Sequence, residues 1–187
     1  MKIVVAFSGK GLLIGVTLLK ALKKLGVETH LVLDDYSDEE VIAETGLNRL
    51  DIISLADSNY NDRDFTAPIA SGSYFVDGVI IVPCSLSRVA DLAQGYAADL
   101  IGRVADVALK EGRTLIISPT ETPLSEVDIR NLLTLAEAGA VILPPTPLFY
   151  TGVKSLNEAL QQIVGRMLDR FKLPHNLYKP WGSSGVS

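Results

Sequence analysis

The sequence predicts one α/β domain: a doubly wound parallel sheet between two layers of helices. Three observations lead there. Short, β-branched apolar runs recur along the chain, longer stretches with helical apolar spacing separate them, and polar turns carrying glycine or proline join the two. Strands buried on both faces read as nearly continuous apolar runs, and strict alternation of strand and helix winds a parallel sheet.

Five strands are predicted in order: Ile3 to Phe7, Thr29 to Leu33, Gly78 to Val82, Thr114 to Ile117 and Ala140 to Leu143. The helices between them are Leu12 to Leu25, Ser37 to Thr45, Leu86 to Glu111, Leu124 to Ala138 and Ser155 to Phe171, with Ser37 and Ser155 as N-caps. Gln94-Gly95 breaks the third of these, so a second helix is expected from Ala97 to Lys110. Asn59 to Tyr74 reads as a long polar loop, and loops of that length in compact domains are often functional. Residues 1–174 form the domain. Residues 175–187, with Tyr178 and Trp181 among Pro, Gly and Ser, form an extended C-terminal arm that needs a surface to lie on.

A chain of 187 residues that is 48% hydrophobic and 21% charged can carry its own core, burying roughly 70% of its unfolded surface. The net charge of −5 argues against nucleic-acid binding as the main task. Cys84 stands alone and His30 and His175 have no partner spacing, so neither a disulfide nor a metal is expected. No apolar stretch is long enough to span a bilayer, and the start Met1-Lys2-Ile3 lacks the pattern of a signal peptide. A cytoplasmic protein is expected.

Ligands of open parallel sheets bind outside the carboxyl ends of the strands, so the residues after each strand carry the functional signal. The first strand runs into Ser8-Gly9-Lys10-Gly11-Leu12-Leu13-Ile14-Gly15, where small residues let a phosphate reach free amides at a helix start; a plain strand-to-helix turn uses glycine equally well. Pro83-Cys84-Ser85-Leu86-Ser87-Arg88 offers small polar groups and a cation at another helix start. That suits a phosphate or a flavin edge, or hydroxyl capping alone. Glu121, in Ser118-Pro119-Thr120-Glu121-Thr122-Pro123, is a helix-dipole partner or an acid/base group. Pro144-Pro145-Thr146-Pro147 reads as a stiff arm that would hold Tyr150 at the rim, for a ligand or as a packed aromatic on a rigid loop.

In their order these loops resemble the UbiX-type flavin prenyltransferases, a group of FMN-binding, homo-oligomeric flavoproteins with a Rossmann-like fold. The resemblance runs through Ser8-Gly9, Ala43-Glu44-Thr45, Ala70-Ser71-Gly72-Ser73, Pro83-Cys84-Ser85, Arg103 to Glu111, Glu121-Thr122-Pro123-Leu124, Gly139 to Pro144, Phe149-Tyr150, Arg166 and Trp181. It implies an enzyme that joins a dimethylallyl group from dimethylallyl phosphate to reduced FMN at N5 and C6. The product, prenylated FMN, serves a UbiD-type decarboxylase. A metal-free dodecamer built from trimers is implied as well. Arg103, Lys110, Tyr150 and Arg166 match the positions around the prenyl phosphate, where cations and a phenol suit a departing dianion. Glu44 and Glu121 match the acidic residues at the reacting face, and with Lys110 they are the implied catalytic set. Ser8, Gly9, Lys10, Asp34, Ser85, Leu86, Ser87, Arg88 and Thr120 are the implied flavin contacts.

Three departures gather around the flavin. The first loop usually reads Gly-Ala-Ser-Gly; here Gly9-Lys10-Gly11 is one residue shorter and lacks the serine. A Ser-Lys pair after the second strand is replaced by Asp34-Asp35, and the arginine before the glutamate is Thr120. Lys10 and Arg88 are expected to replace the lost positive charge. Two other readings compete. One is a flavin binder of the same fold without transferase activity. The other is a nicotinamide dehydrogenase, suggested by Gly9-x-Gly11-x-x-x-Gly15, Asp34 and the spacing of Tyr150 and Lys154. Pro147 and Gly152 oppose the helix that last pair would need.

Overall fold

The computed structural model describes residues 1–180, so Trp181 and the rest of the expected arm lie outside the described residues. In chain order the elements are β1 (Lys2–Ser8), α1 (Leu12–Lys24), β2 (Glu28–Leu33), α2 (Asp38–Thr45), α3 (Arg49–Ile53), β3 (Ser58–Asn61), β4 (Gly78–Cys84), α4 (Leu86–Ala93), α5 (Leu100–Lys110), β5 (Thr114–Pro119), α6 (Glu126–Glu137), β6 (Val141–Ile142) and α7 (Leu156–Arg170). The strands make one parallel sheet in the order β3-β2-β1-β4-β5-β6. The direction of winding reverses between β1 and β4, and in open parallel sheets the crevice for a ligand lies outside the carboxyl ends of the strands at that point.

Alternation along β1 divides the interior in two. Ile3, Val5 and Phe7 face α1 and α7, packing with Val16, Leu19, Val164 and Met167; Val4 and Ala6 face α4, α5 and α6, packing with Val89, Ile101, Val104 and Leu135. The α1/α7 layer lies close to the sheet: a Cβ on Gly15 would come within 2.3 Å of the Phe7 ring and 2.7 Å of the Val82 carbonyl. That approach brings the start of α1 over the crevice.

The structure adds two elements to the predicted set. β3 is polar (Ser-Asn-Tyr-Asn) and hydrogen-bonds only to β2, so as an edge strand it needs no apolar run, and the rest of the expected 59–74 loop holds a 3-10 turn at Pro68–Ala70. The five-residue α3 is too short to show a period, although Asn48 caps it and accepts from the Asp51 amide. Elsewhere the boundaries move inwards for local reasons. α6 starts at Glu126 because Ser125 caps it, α5 starts at Leu100 because Asp99 caps it, and β6 is cut short by the prolines that follow. Residues 175–180 fold back on α7: His175 Nε2 lies 3.0 Å from Asp169 Oδ1, and the Tyr178 ring fills the space where a Cβ of Gly165 would stand.

Candidate active site at the carboxyl ends of the strands

The loop Gly9-Lys10-Gly11 has little of its own to hold it. Gly9 and Gly11 take φ values of +151° and +104°, and α1 has no side-chain cap. Gly9 is pressed against α4, where a Cβ would lie 2.7 Å from the Ser85 amide. Side chains from other segments complete the loop. The Tyr36 hydroxyl accepts from the Gly9 amide (2.7 Å) and donates to the Gly9 carbonyl (2.8 Å). Glu44 Oε2 accepts from the Gly11 and Leu12 amides, both at 2.8 Å, and Thr120 Oγ1 donates to the Lys10 carbonyl (2.6 Å). Across the crevice Glu121 Oε1 accepts from the Leu86 amide at the start of α4 (2.8 Å). Ser85 caps α4 through the Arg88 amide (3.2 Å), and its hydroxyl meets that of Ser87 (2.9 Å).

Two helix starts facing one crevice thus each hold a carboxylate on their free amides, which is where helix dipole and amide geometry favour an anion. The donor set therefore fits the phosphate-bearing, electron-rich ligand that the loops imply. Gly9, Lys10, Glu44, Ser85, Leu86, Ser87, Thr120 and Glu121 are joined by these contacts at the carboxyl ends of β1, β4 and β5, while Ser8 and Arg88 are buried beside them.

Beside it lies a buried charge cluster. Arg88, 8% exposed, donates from Nε to Ser8 Oγ (2.9 Å) and from one terminal nitrogen to both oxygens of Asp99 (2.7 Å each). Its other terminal nitrogen lies 3.5 Å from Asp34 Oδ2 and 3.9 Å from Asp62 Oδ2, and the Ser8 hydroxyl donates to Asp34 (2.9 Å). One side chain ties together the ends of β1 and β2, the segment after β3, α4 and α5. The expectation that Lys10 and Arg88 replace lost positive charge is corrected here. Arg88 is neutralised by its own aspartates, and Lys10 is drawn to Glu40, with Glu44 4.0 Å away. The carboxylate of Asp34 is likewise taken up by Ser8 and Arg88, as a ribose-binding acid of a dehydrogenase would not be. Tyr150 sits in a 3-10 turn and Gly152 has a φ of 70°, so Tyr150 and Lys154 share no helix face.

Asp62 is the member of this cluster pushed up to about 6, chiefly by burial, against the stabilising Ile101 amide and with Asp99 as a raising neighbour. The unfolded chain ionises this carboxyl near pH 4 and the folded chain two units higher, so folding binds a proton in that window. Its contribution to stability is full below about pH 4 and falls as pH rises through 6. Asp62→Asn removes the proton uptake. Chemical denaturation at a series of pH values should show the variant gaining on the wild type from pH 4 to 6.5 and running parallel to it above; a constant difference would overturn this.

The four residues matched to a prenyl phosphate form two pairs. Arg103 and Lys110, on α5, share Asp106 Oδ2 at 3.1 and 2.7 Å, and Arg103 Nε also donates to the Ala70 carbonyl (2.9 Å). Arg166, on α7, meets Asp169 Oδ2 and the Tyr178 hydroxyl, each at 3.2 Å, and feels the nearby Tyr150 phenol. The pairs belong to opposite layers of the sheet. α5 also starts at the rim and runs away from it, placing Lys110 roughly 15 Å further along the axis. The expected convergence of the four does not occur within one chain.

Three residues of the site escape the sequence reading. Asp99 carries a readable signal, an N-cap acid before an apolar helix. Tyr36 directly follows the second strand, where rim residues belong. Asp62 lies inside the long loop, and its alignment with Arg88 is a product of the tertiary fold.

Together these features define a class: open parallel α/β proteins that seat an anionic ligand on helix starts at the point where strand order reverses. The model of the Flavoprotein family matches residues 1–169. The mitochondrial flavin prenyltransferase PAD1 of Saccharomyces cerevisiae is 44% identical over 181 residues, 96% of this chain and 75% of that one. A dodecameric FMN-dependent UbiX-like decarboxylase from Escherichia coli O157:H7 superposes with a TM-score of 0.94 at 39% identity, covering 98% of this chain and 100% of that one. AnUbiX (PadA1), solved with FMN and dimethylallyl pyrophosphate, also gives 0.94, at 43% identity and 98% of both chains. This chain belongs to the Flavoprotein family and, within it, to the UbiX-type flavin prenyltransferases.

Proposed function

We propose that this protein is a flavin prenyltransferase, moving a dimethylallyl group from dimethylallyl phosphate to reduced FMN and supplying prenylated FMN to a UbiD-type decarboxylase. The observation that carries the reading is the pair of carboxylates, Glu44 and Glu121, seated on facing helix starts across the crevice. Reduced flavin, when bound, supplies the nucleophilic N5 and C6. The amides at Gly11, Leu12 and Leu86, once Glu44 and Glu121 release them, would bind and orient its anionic groups, with the small residues Gly9 and Ser85 allowing close approach. Glu44 and Glu121 take the proton shed at the flavin and deliver one to the leaving phosphate oxygen. Arg103, Lys110, Tyr150 and Arg166 hold the phosphate as its bond to carbon breaks.

Those last four belong to two layers of the chain, so the phosphate site is completed between copies, Arg103 and Lys110 from one and Tyr150 and Arg166 from the next. A dodecamer of trimers accommodates this. Val127, Ile129 and Leu133 on α6, together with Phe149 and Leu156, are more than half exposed and need cover that an assembly would give. Among the described residues no helix is long and apolar enough to cross a membrane; a cytoplasmic enzyme is our reading.

A second reading, flavin binding without transfer, is favoured by one observation: the Arg88–Asp34 contact stands where the related loops carry small or basic residues. One experiment separates the two. Protein incubated anaerobically with reduced FMN and dimethylallyl phosphate is expected to yield extracted flavin heavier by one C5H8 unit. FMN recovered unchanged from a protein that binds it would establish the binder, and failure to bind FMN would remove both.

A further inference from the structure

We propose that Tyr36 is the positioning residue of the flavin loop, setting affinity for the flavin and leaving the rate of transfer alone; the inference rests on the prenyltransferase reading above. Gly9-Lys10-Gly11 is a three-residue connection with two glycines in left-handed or extended positive-φ conformations and no cap of its own. Such a segment loses more backbone entropy on ordering than any other and must be held from outside. Tyr36 does so at the residue nearest the sheet, using its lone pair for the Gly9 amide and its proton for the Gly9 carbonyl. A single phenol thus fixes both peptide planes that flank Gly9, the point from which the loop leaves β1.

The side chain that does this is itself immobilised. Tyr36 is buried in the core under α1 and α2, its amide donates to the Asp34 carbonyl (2.8 Å), and the Arg49 guanidinium, anchored on Asp38 (3.0 Å), donates to its carbonyl. Burial also drives the phenol above its ordinary pKa, so the proton it donates to Gly9 stays in place across the working range. Glu44 and Thr120 fasten the far end of the same loop. Those two hold Lys10, Gly11 and Leu12, whereas the Tyr36 hydroxyl is spent on Gly9 and acts through the loop.

Tyr36→Phe keeps the ring and deletes both bonds. With wild type, Y36F and FMN titrated by quenching of flavin fluorescence, Y36F is expected to bind about tenfold more weakly, the scale of one buried hydrogen-bonding group lost. In turnover assays its KM for reduced FMN should rise by a similar factor, with kcat at saturating flavin within twofold and KM for dimethylallyl phosphate unchanged. A merely structural role would lower the melting temperature and leave Kd and KM for flavin unchanged in assays run well below it, where the variant is fully folded. An Y36F protein that melts cooperatively and binds FMN like the wild type overturns the inference, while a wild type that ignores FMN overturns the prenyltransferase reading instead. Should Y36F not fold, hydrogen exchange on the wild type decides: the Gly9 amide is expected to be protected with and without FMN, and exchange at the rate of an open loop overturns the proposal.

Discussion

Arg88→Met is expected to destabilise the protein by about 3–5 kcal/mol, the cost of removing one partner from a buried ionic cluster. Asp99, Asp62 and Asp34 are brought within 4 Å of one guanidinium; Arg88, Asp62 and Asp99 are largely buried, and Asp34 closes the cluster on its solvent side. Methionine fills similar volume and supplies no donor. Asp99 then loses both bonds from the arginine, and three carboxylates repel one another with no cation among them. Urea denaturation at pH 7.5 measures the loss. The double variant R88M/D34S should recover part of it, because it withdraws one of the stranded charges, and the cycle built from both single variants gives the coupling energy. A loss below about 1 kcal/mol, the scale of an exposed pair, would mean that water reaches the cluster.

The second large effect concerns assembly. Arg103→Ala and Arg166→Ala are each expected to cut kcat/KM by roughly 10- to 100-fold, the scale of a lost charge-assisted contact to phosphate. Because these residues stand on opposite layers of one chain, a site that needs both draws them from two copies. Co-expressing the two variants then places an intact pair at some sites. With random mixing in a symmetric assembly about one site in four regains both arginines, and activity should rise to about a quarter of wild type. Mixtures no more active than the separate variants would show that one chain supplies the whole phosphate site.

The architecture was legible because its physics is local. Runs such as Ile3 to Phe7 and Gly78 to Val82 are apolar on both faces, and only a strand between two helix layers needs that. Edge strand β3 hides for the opposite reason: half its surroundings are solvent, so Ser58-Asn59-Tyr60-Asn61 carries no hydrophobic signal. At the rim, Ser85 and Glu121 could be read from the loops after the strands, whereas Glu44 came only from the family resemblance; the structure seats Glu44 on the Gly11 and Leu12 amides and Glu121 on the Leu86 amide. What the sequence did not disclose is pairing across long separations. Arg88 looked like a spare cation beside a phosphate loop, and its neutralisation requires Asp62 and Asp99, which arrive from separate segments. Tyr36 and Gly9 meet only once β1 and β2 are aligned, with Asp34 bonded to Phe7 at the end of the ladder.

The carboxylates resting on the starts of α1 and α4 bear on how such a catalyst can part with what it makes. On the proposed function, the protein makes a prosthetic group for another enzyme and has to let go of a tightly held aromatic anion at the close of every round. Bare peptide donors would tax that departure, since each would be stranded without a partner. On that reading Glu44 and Glu121, which hold these donors in the structure, reclaim them as the flavin withdraws, so release trades one negative guest for a tethered one of the chain's own.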